Sequence, residues 1–190
     1  MRPLRTQRLT LTPVTVHNAT LLWNVLQQPD LRRYQDLPTV GAAAFAELVS
    51  RRPKTLRPGA WGRFEWLVYF EGFKRAAGWI SLRIAEREPD CGEIGYSIVR
   101  EFRSRGIATE AVGALVAEGF ERAELATLRA YCVPQNEASR RVLENTGFTF
   151  DRVLPHGASV NGEAVDVLSH VLTETQWRHS GKTIEIPASA

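Results

Sequence analysis

Arginine, glycine and small side chains are grouped in one short stretch, residues 100–111, in a pattern that suits a bound diphosphate. The stretch follows a β-prone segment and precedes one whose apolar residues recur at helical spacing. It therefore predicts a turn into a helix N-terminus, where free N–H groups and the helix dipole attract anions. Gly106 has no Cβ to block a ligand, and Arg103 and Arg105 add positive charge. An ordinary connection with solvated arginines is the alternative.

Two common nucleotide-binding motifs do not fit this turn. A P-loop needs Gly-Lys followed by Ser or Thr, and residues 100–111 contain no lysine. The dinucleotide fingerprint needs three glycines, whereas Gly106 is the only glycine of the stretch. The turn instead fits a shorter pattern, Gln/Arg-x-x-Gly-x-Gly/Ala, which runs from Arg103 to Ala108.

A second group of polar residues, Asn136 and Ser139, lies at the start of a predicted helix over residues 137–145 that ends at Gly147. As a structural residue, Asn136 caps this helix and stabilises it by about 1 kcal/mol. As a site residue it hydrogen-bonds a ligand, and one side chain could do both. Ser139 lies one turn inside the helix, where its structural role would be that of a solvent-facing serine.

Glu93 is a candidate general base. On an alternating strand it lies on the face opposite to Ile94, Tyr96 and Ile98, which form an apolar face suited to packing on helices. Glu93 would then point into the site and be partly buried. A carboxylate in such a site can accept a proton from an attacking nucleophile, directly or through water. The alternative is a surface carboxylate paired with an arginine.

The elements that position these residues can be predicted along the chain. Strands are predicted at residues 8–13, 64–70, 76–84, 92–99, 128–133, 148–153 and 165–172. Helices are predicted after Asn18, from Thr39, and over residues 108–123 and 137–145. The strands at 64–70, 76–84 and 92–99 should form an antiparallel meander, the last of them after a turn around residues 88–90. Because strand 128–133 follows a helical crossover, it should lie parallel to strand 92–99.

Composition narrows the class of protein. The 190 residues suit one domain, which we place at residues 1–177, followed by a polar tail at 178–190. No apolar run reaches the roughly 18 residues of a membrane helix. The net charge of +3 is spread without a long basic run, which suits an anionic cofactor and does not predict nucleic-acid binding. Cys91 and Cys132 are too few for a disulfide framework and indicate a reducing, cytoplasmic setting.

The order of the elements and several motifs resemble the GNAT N-acetyltransferases, and within them the RimJ/RimL type. The likeness rests on residues 4–11, on Glu93-Ile94-Gly95-Tyr96, on the turn at 103–111 and on the spacing from Val133 to Phe148. It implies an α+β fold, with a mostly antiparallel twisted sheet that splays at its parallel strand pair and is flanked by helices.

The resemblance implies acetyl-CoA as co-substrate and no metal. In such enzymes the splayed strand exposes backbone groups, here those of Ile98 and Val99, which pair with the pantetheine amides like an added strand. The Val99 N–H is the candidate oxyanion donor. The expected cofactor-binding residues are Ile98, Val99, Arg103, Ser104, Arg105, Gly106, Ile107, Ala108, Thr109, Asn136 and Ser139.

For catalysis, the resemblance implies Ser139 and Glu93. In the RimJ/RimL type the matching serine lies near the cofactor sulfur and protonates the leaving thiolate. Many other GNAT enzymes use a tyrosine at the position of Leu143, so this departure favours Ser139. Glu93 is the expected general base, and His156, in a predicted loop, is the alternative.

The leading hypothesis is therefore direct acetyl transfer from acetyl-CoA to a primary amine of a peptide, a protein N-terminus or a small molecule. A non-catalytic acyl-CoA-binding module is the second hypothesis, and Leu143 is the feature in its favour. A basic RNA-binding domain is the third, but strand 64–70 has core-type residues rather than an aromatic–basic face. Trp23, Tyr34 and Trp61 could line the acceptor site. A homodimer is left open, and no membrane or direct nucleic-acid partner is expected.

Overall fold

The computed structural model describes residues 1–181 of the chain. Within this part, eight strands form one mixed sheet in the order β1-β2-β3-β4-β5-β6-β8-β7. The strands are β1 (Leu4–Arg5), β2 (Leu9–Pro13), β3 (Gly62–Phe70), β4 (Ala76–Ala85), β5 (Glu88–Ile98), β6 (Thr127–Cys132), β7 (Thr149–Val160) and β8 (Glu163–Thr173). The pairing of β5 with β6 is parallel, as predicted, and the remaining pairs of the described sheet are antiparallel.

The helices lie between these strands. They are α1 (Ala19–Leu26), α2 (Ala42–Ser50), α3 (Ile107–Ala117), α4 (Glu137–Asn145) and α5 (Glu174–His179). Short 3-10 helices cover Pro29–Arg33 and Arg100–Phe102, and a π-helical segment, Glu118–Arg122, extends α3. None of the helices in residues 1–181 is long and apolar enough to cross a membrane.

The two faces of the sheet differ in what covers them. On one face Leu82 of β4 lies opposite Ile94 of β5, and both are buried. This face packs on the α3 side, because Leu128 of β6 lies close both to Gly92 and to Gly119 in the π-helical segment. Burial of each large apolar side chain contributes about 1.5–3 kcal/mol. The opposite face carries the polar residues of β4 and β5 and is approached by the segment after α1.

The parallel strands separate early, and this produces the site. Their pairing runs from Cys91 opposite Thr127 to Ile94 opposite Ala130. Beyond Ile94, β5 continues against β4 as far as Ile98, while β6 continues against β8. The sheet is therefore splayed at its parallel pair, as the resemblance implied.

The boundaries of several strands differ from the prediction for identifiable physical reasons. The turn placed at residues 88–90 lies instead at Glu86 and Arg87, and β5 begins at Glu88. Strand 148–153 extends to Val160 as β7, so the loop predicted after Val153 is part of the strand and includes Pro155 and Gly157. A register shift between Leu154 and Ala158 absorbs both residues, since a bulge tolerates proline and glycine where a regular ladder does not.

The C-terminal helix α5 was missed. Thr173 and Gln176 form a capping box at its start, and Trp177 is buried beside Phe120. The predicted tail at 178–190 therefore overlaps the last residues of α5, and residues 182–190 lie outside the described part. Asn18 lies just before α1, as predicted, but its side chain does not cap the helix, because its Oδ1 accepts from the Thr15 N–H of the preceding turn.

Candidate active site

The gap between β5 and β6 opens into a cavity of about 800 Å³, a size typical of small-molecule sites. The splayed strand ends, the starts of α3 and α4, and part of the segment at residues 30–35 line this cavity, which we call the cleft. The predicted site residues in its lining are Ile98, Arg103, Ser104, Gly106, Ile107, Ala108, Thr109, Asn136 and Ser139. Val99, Arg105, Glu93 and His156 are not part of that lining.

The N-terminus of α3 is shaped for an anion. Gly106 has φ +76° and Ser104 has φ +60°, so two nearby residues adopt the left-handed conformation. The first helical hydrogen bond runs from the Glu110 N–H to the Gly106 carbonyl, at 3.0 Å. The amides of Ile107 and Ala108 thus precede the helical hydrogen-bond ladder, at the positive end of the dipole. This backbone cradle fits a diphosphate.

The two arginines of the turn have different positions. The Arg103 Nε donates to the Ile98 carbonyl at 2.8 Å, and its guanidinium pairs with Asp30 at the edge of the cleft. Arg105 lies with its guanidinium 6.0 Å from the centre of the Phe102 ring. Arg103 is therefore held beside the cradle, where a phosphate would compete with Asp30 for its charge.

An N-terminal support for the cradle was missed by sequence reasoning. Glu110, in the first turn of α3, accepts hydrogen bonds from the Thr6 hydroxyl, from the Arg8 N–H at 2.9 Å and from the Arg8 Nε at 2.8 Å. Arg8 also donates to the Arg105 carbonyl at 3.0 Å. Although burial opposes ionisation, these hydrogen bonds lower the pKa of Glu110. The signal was available in the motif at residues 4–11, which we interpreted only as a family marker.

The Val99 N–H, which was predicted to be the oxyanion donor, does not face the cleft. The Val99 N–H donates to the Ala77 carbonyl of β4 at 2.9 Å, so it is engaged within the sheet rather than presented to the cleft. Backbone groups alternate in direction along a strand, so those of Tyr96 and Ile98 face the opened side. The Ile98 carbonyl already accepts from Arg103. The N–H groups on that edge are therefore the candidates for pairing with an extended ligand.

Asn136 and Ser139 meet at the start of α4. Asn136 caps the helix, since its Oδ1 accepts from the Ser139 N–H at 3.2 Å, and it also lines the cleft. The Ser139 hydroxyl lies 2.9 Å from the Tyr96 hydroxyl. Burial raises the pKa of the Cys132 thiol, which outweighs the lowering effects of Arg140 and Ser139. Leu143 is fully buried in the core.

Tyr96 is a cleft residue that sequence reasoning assigned only to packing. Its ring does pack against the core, but its hydroxyl contacts α4, 2.9 Å from the Ser139 Oγ and 3.2 Å from the Ser139 carbonyl. Burial raises the pKa of Tyr96 well above its usual range. Its position between the apolar Ile94 and Ile98 indicated the face correctly but gave no sign of a polar partner.

Glu93 lies on the opposite face from Tyr96, as predicted, but not within the cleft. Its carboxylate pairs with the Arg83 guanidinium at 2.7 Å, and 35% of its side chain is exposed. The side chain is therefore partly buried, as expected, but it is paired with an arginine and lies outside the cleft lining. Glu93 does adjoin Ile94, the last residue that pairs with β6 before the strands part. Its role as a base stays a prediction.

Loops from distant parts of the chain close the other side of the cleft. The Gln35 amide donates to the Ser97 hydroxyl at 2.6 Å. Asp36 accepts from the Asn161 N–H at 2.7 Å, at the turn between β7 and β8. Hydrogen bonds from Ser159 and Asn161 lower the pKa of Asp36. The segment after α1 is thus tied both to β5 and to the β7–β8 hairpin.

Other predicted residues lie in different places. Tyr34 lines the cleft, whereas Trp23 donates to the Val40 carbonyl and Trp61 is exposed, and neither belongs to the cleft lining. His156 has φ +54°, and its N–H donates to Asp166 at 3.0 Å. Within residues 1–181 no group of three or more His, Cys, Asp or Glu side chains could hold a metal ion.

Comparison with known proteins agrees with this geometry. The family model for the acetyltransferase (GNAT) domain matches residues 8–149. The N-acetyltransferase p20 of Bacillus licheniformis is 24% identical over 93% of this chain and 99% of its own length. YdaF of Bacillus subtilis, named for ribosomal N-acetyltransferase activity, is 35% identical over 53% of this chain and 55% of its own length.

A solved structure shows the same fold. RimL, a ribosomal L7/L12 alpha-N-protein acetyltransferase in complex with coenzyme A, superposes with a TM-score of 0.78. The alignment covers 90% of this chain and 98% of RimL, at 19% sequence identity. At that identity the likeness concerns the fold alone.

Proposed function

The chain belongs to the acetyltransferase (GNAT) family, and on that premise we propose that it transfers the acetyl group of acetyl-CoA directly to a primary amine. The observation that carries the proposal is the cleft itself. It joins a splayed strand edge, which suits an extended amide-bearing chain, to a helix N-terminus with Gly106 in the left-handed conformation, which suits a diphosphate.

The proposed binding mode assigns each end of the cofactor to a different element. The amides of Ile107 and Ala108 would hold the diphosphate, with Arg103 at the edge of the cradle supplying positive charge. The exposed edge of β5 at Tyr96 and Ile98 would pair with the pantetheine arm. The acetyl thioester would supply the reactive carbonyl between β5 and β6. Holding the thioester and an amine together would contribute much of the rate.

Ser139 is the proposed residue at the leaving sulfur, and Glu93 is the proposed base. Ser139 is supported by its place in the cleft lining and by the buried Leu143, which leaves no phenol at that helix position. Glu93 is supported by its place beside the point where the strands part. Because it is not in the cleft lining, it would act through a bridging water. Its half-exposed ion pair with Arg83 costs little to rearrange.

The proposed acceptor is the N-terminal α-amine of a protein, with a small-molecule amine as the alternative. The names of YdaF and RimL support the first choice. The acceptor would enter on the side bounded by Gln35 and the β7–β8 hairpin, since the α3 side is assigned to the cofactor. The proposed setting is cytoplasmic, which agrees with two free thiols, Cys91 and Cys132.

An acetyl-transfer screen tests this function. Purified protein and acetyl-CoA are incubated with peptides of varied N-termini and with a library of small amines, and both thiol release and product mass are measured. Each reactive peptide is repeated with its α-amine blocked and a lysine left free. We expect products from peptides with a free α-amine and none from the blocked peptides whose only primary amine is a lysine. Thiol release without any acetylated product would refute direct transfer.

A further inference from the structure

We propose that Tyr96 is a positioning residue for the leaving sulfur: its hydroxyl holds Ser139 so that the Ser139 Oγ–H points to the sulfur. This inference rests on the proposed function, because the sulfur in question is that of coenzyme A. It assigns to Tyr96 a task beyond packing and gives Ser139 a defined hydrogen-bonding state.

The two hydroxyls have only two protons between them, and this limits their arrangements. If Tyr96 donates to the Ser139 carbonyl, the Ser139 Oγ–H points to the tyrosine oxygen. The serine proton is then not available to a ligand in the cleft. If Tyr96 donates to the Ser139 Oγ, the serine proton is free for another acceptor. The Oγ is at 2.9 Å, within the usual range for two hydroxyls, whereas the carbonyl is at 3.2 Å, beyond it. The distances favour the second arrangement.

The surroundings support a fixed donor rather than an acid. The Tyr96 ring packs against the core, and the start of α4 is held by the Asn136 cap, so both partners have little freedom to move apart. Burial raises the pKa of Tyr96, so it stays protonated wherever an amine reacts.

The proton balance then follows. The amine nitrogen bonds to the acetyl carbon, the carbon–sulfur bond breaks, and its electron pair remains on the sulfur. The surplus proton of the amine goes to the base or to solvent. Ser139 stabilises the thiolate by a hydrogen bond, and neither hydroxyl is ionised at the end of the step. Tyr96 acts only through Ser139.

The test reads the state of the sulfur without any acceptor amine. The enzyme is loaded with coenzyme A, and the thiolate absorbance is titrated with pH. The same titration with desulfo-coenzyme A is subtracted, which removes the signals of Cys91, Cys132 and the tyrosines. A hydrogen bond to an anion is worth about one to two pKa units. We expect the bound thiol to ionise about one unit or more below free coenzyme A in the wild type.

Three variants separate positioning from general damage. Tyr96→Phe and Ser139→Ala should each return the thiol pKa to that of free coenzyme A, and the double variant should add nothing further. Tyr69→Phe, which removes a hydroxyl from another partly buried sheet tyrosine, should leave the pKa lowered. Coenzyme A affinity should change less than threefold in Tyr96→Phe.

The outcomes are distinguishable. If the wild type fails to bind coenzyme A, the proposed function fails and the inference with it. If coenzyme A binds but Tyr96→Phe keeps the wild-type thiol pKa while Ser139→Ala loses it, the function stands and the role of Tyr96 is overturned. A thiol pKa that is never lowered in the wild type also overturns it.

Discussion

Replacing Gly106 by valine tests the anion cradle most directly. At φ +76° a residue with a Cβ costs about 1–2 kcal/mol, and a β-branched one costs more. The added Cβ would also lie 3.2 Å from the Arg8 Nη2, the guanidinium that binds Glu110. For a chain of this size, each kcal/mol lowers Tm by about 2–4 °C. We therefore expect Tm to fall by about 2–8 °C from the Cβ alone, and by more because valine is β-branched.

The larger effect should be on acetyl-CoA binding. A hydrogen bond to a charged group is worth about 1.5–3 kcal/mol, so blocking one amide of the cradle should weaken binding by about 10- to 100-fold. Isothermal titration calorimetry measures this loss. Arg103 and the β5 edge would remain, so we expect weakened binding rather than none.

The chain offers a matched control. Gly59 has φ +72°, yet a Cβ there would meet nothing within 4 Å, and the residue is outside the cleft lining. Gly59→Val should therefore lose comparable stability and bind acetyl-CoA like the wild type. If Gly106→Val kept wild-type affinity, the cradle assignment would be refuted. Equal affinity losses in both variants would show that strain alone was responsible.

Three further predictions concern charge. Glu93→Gln should lower kcat about a hundredfold near neutral pH, and the loss should be smaller at high pH, where free amine is abundant. Glu88→Gln, on the same strand, should leave kcat unchanged. Equal pH–rate profiles for the two variants would exclude Glu93 as the base. Burial lowers the pKa of His170 from 6.5, so the unfolded chain takes up a proton at this residue before the folded chain does. The free energy of unfolding measured with urea should therefore fall as the pH drops below 6.5. A His170→Gln variant should lack that pH-dependent loss. Glu110→Gln should lower the free energy of unfolding, measured with urea, by about 1–3 kcal/mol. Glu137→Gln removes an exposed ion pair in the first turn of α4 and should change that free energy little. Equal losses in the two variants would contradict the supporting role of Glu110.

Local motifs were predictable because their geometry is set by neighbours in sequence. The turn at Gly106, the Asn136 cap and the helix end at Gly147 each follow from a residue type and the helix beside it. The parallel pairing of β5 and β6 followed from the crossover between them. These features place the cofactor end of the candidate site.

Contacts across the sheet were not predictable in the same way. The ion pair of Glu93 depends on the register that sets Arg83 opposite it on β4. The engagement of the Val99 N–H depends on which edge of β5 faces β4. The meeting of Tyr96 with Ser139 depends on how α4 sits on the sheet. None of these leaves a periodic trace in the sequence, so the catalytic end of the site was the harder part to predict.

The short seam between β5 and β6 also has a mechanical meaning. In the described sheet it is the line along which β1–β5 and β6–β8 are joined, and ladder pairing crosses it only from Cys91 to Ile94. An extended ligand in the gap would bind to both parts of the sheet and hold them together. Binding would then stiffen the whole sheet, because bonds that the chain does not make with itself would be supplied by the molecule on which it acts.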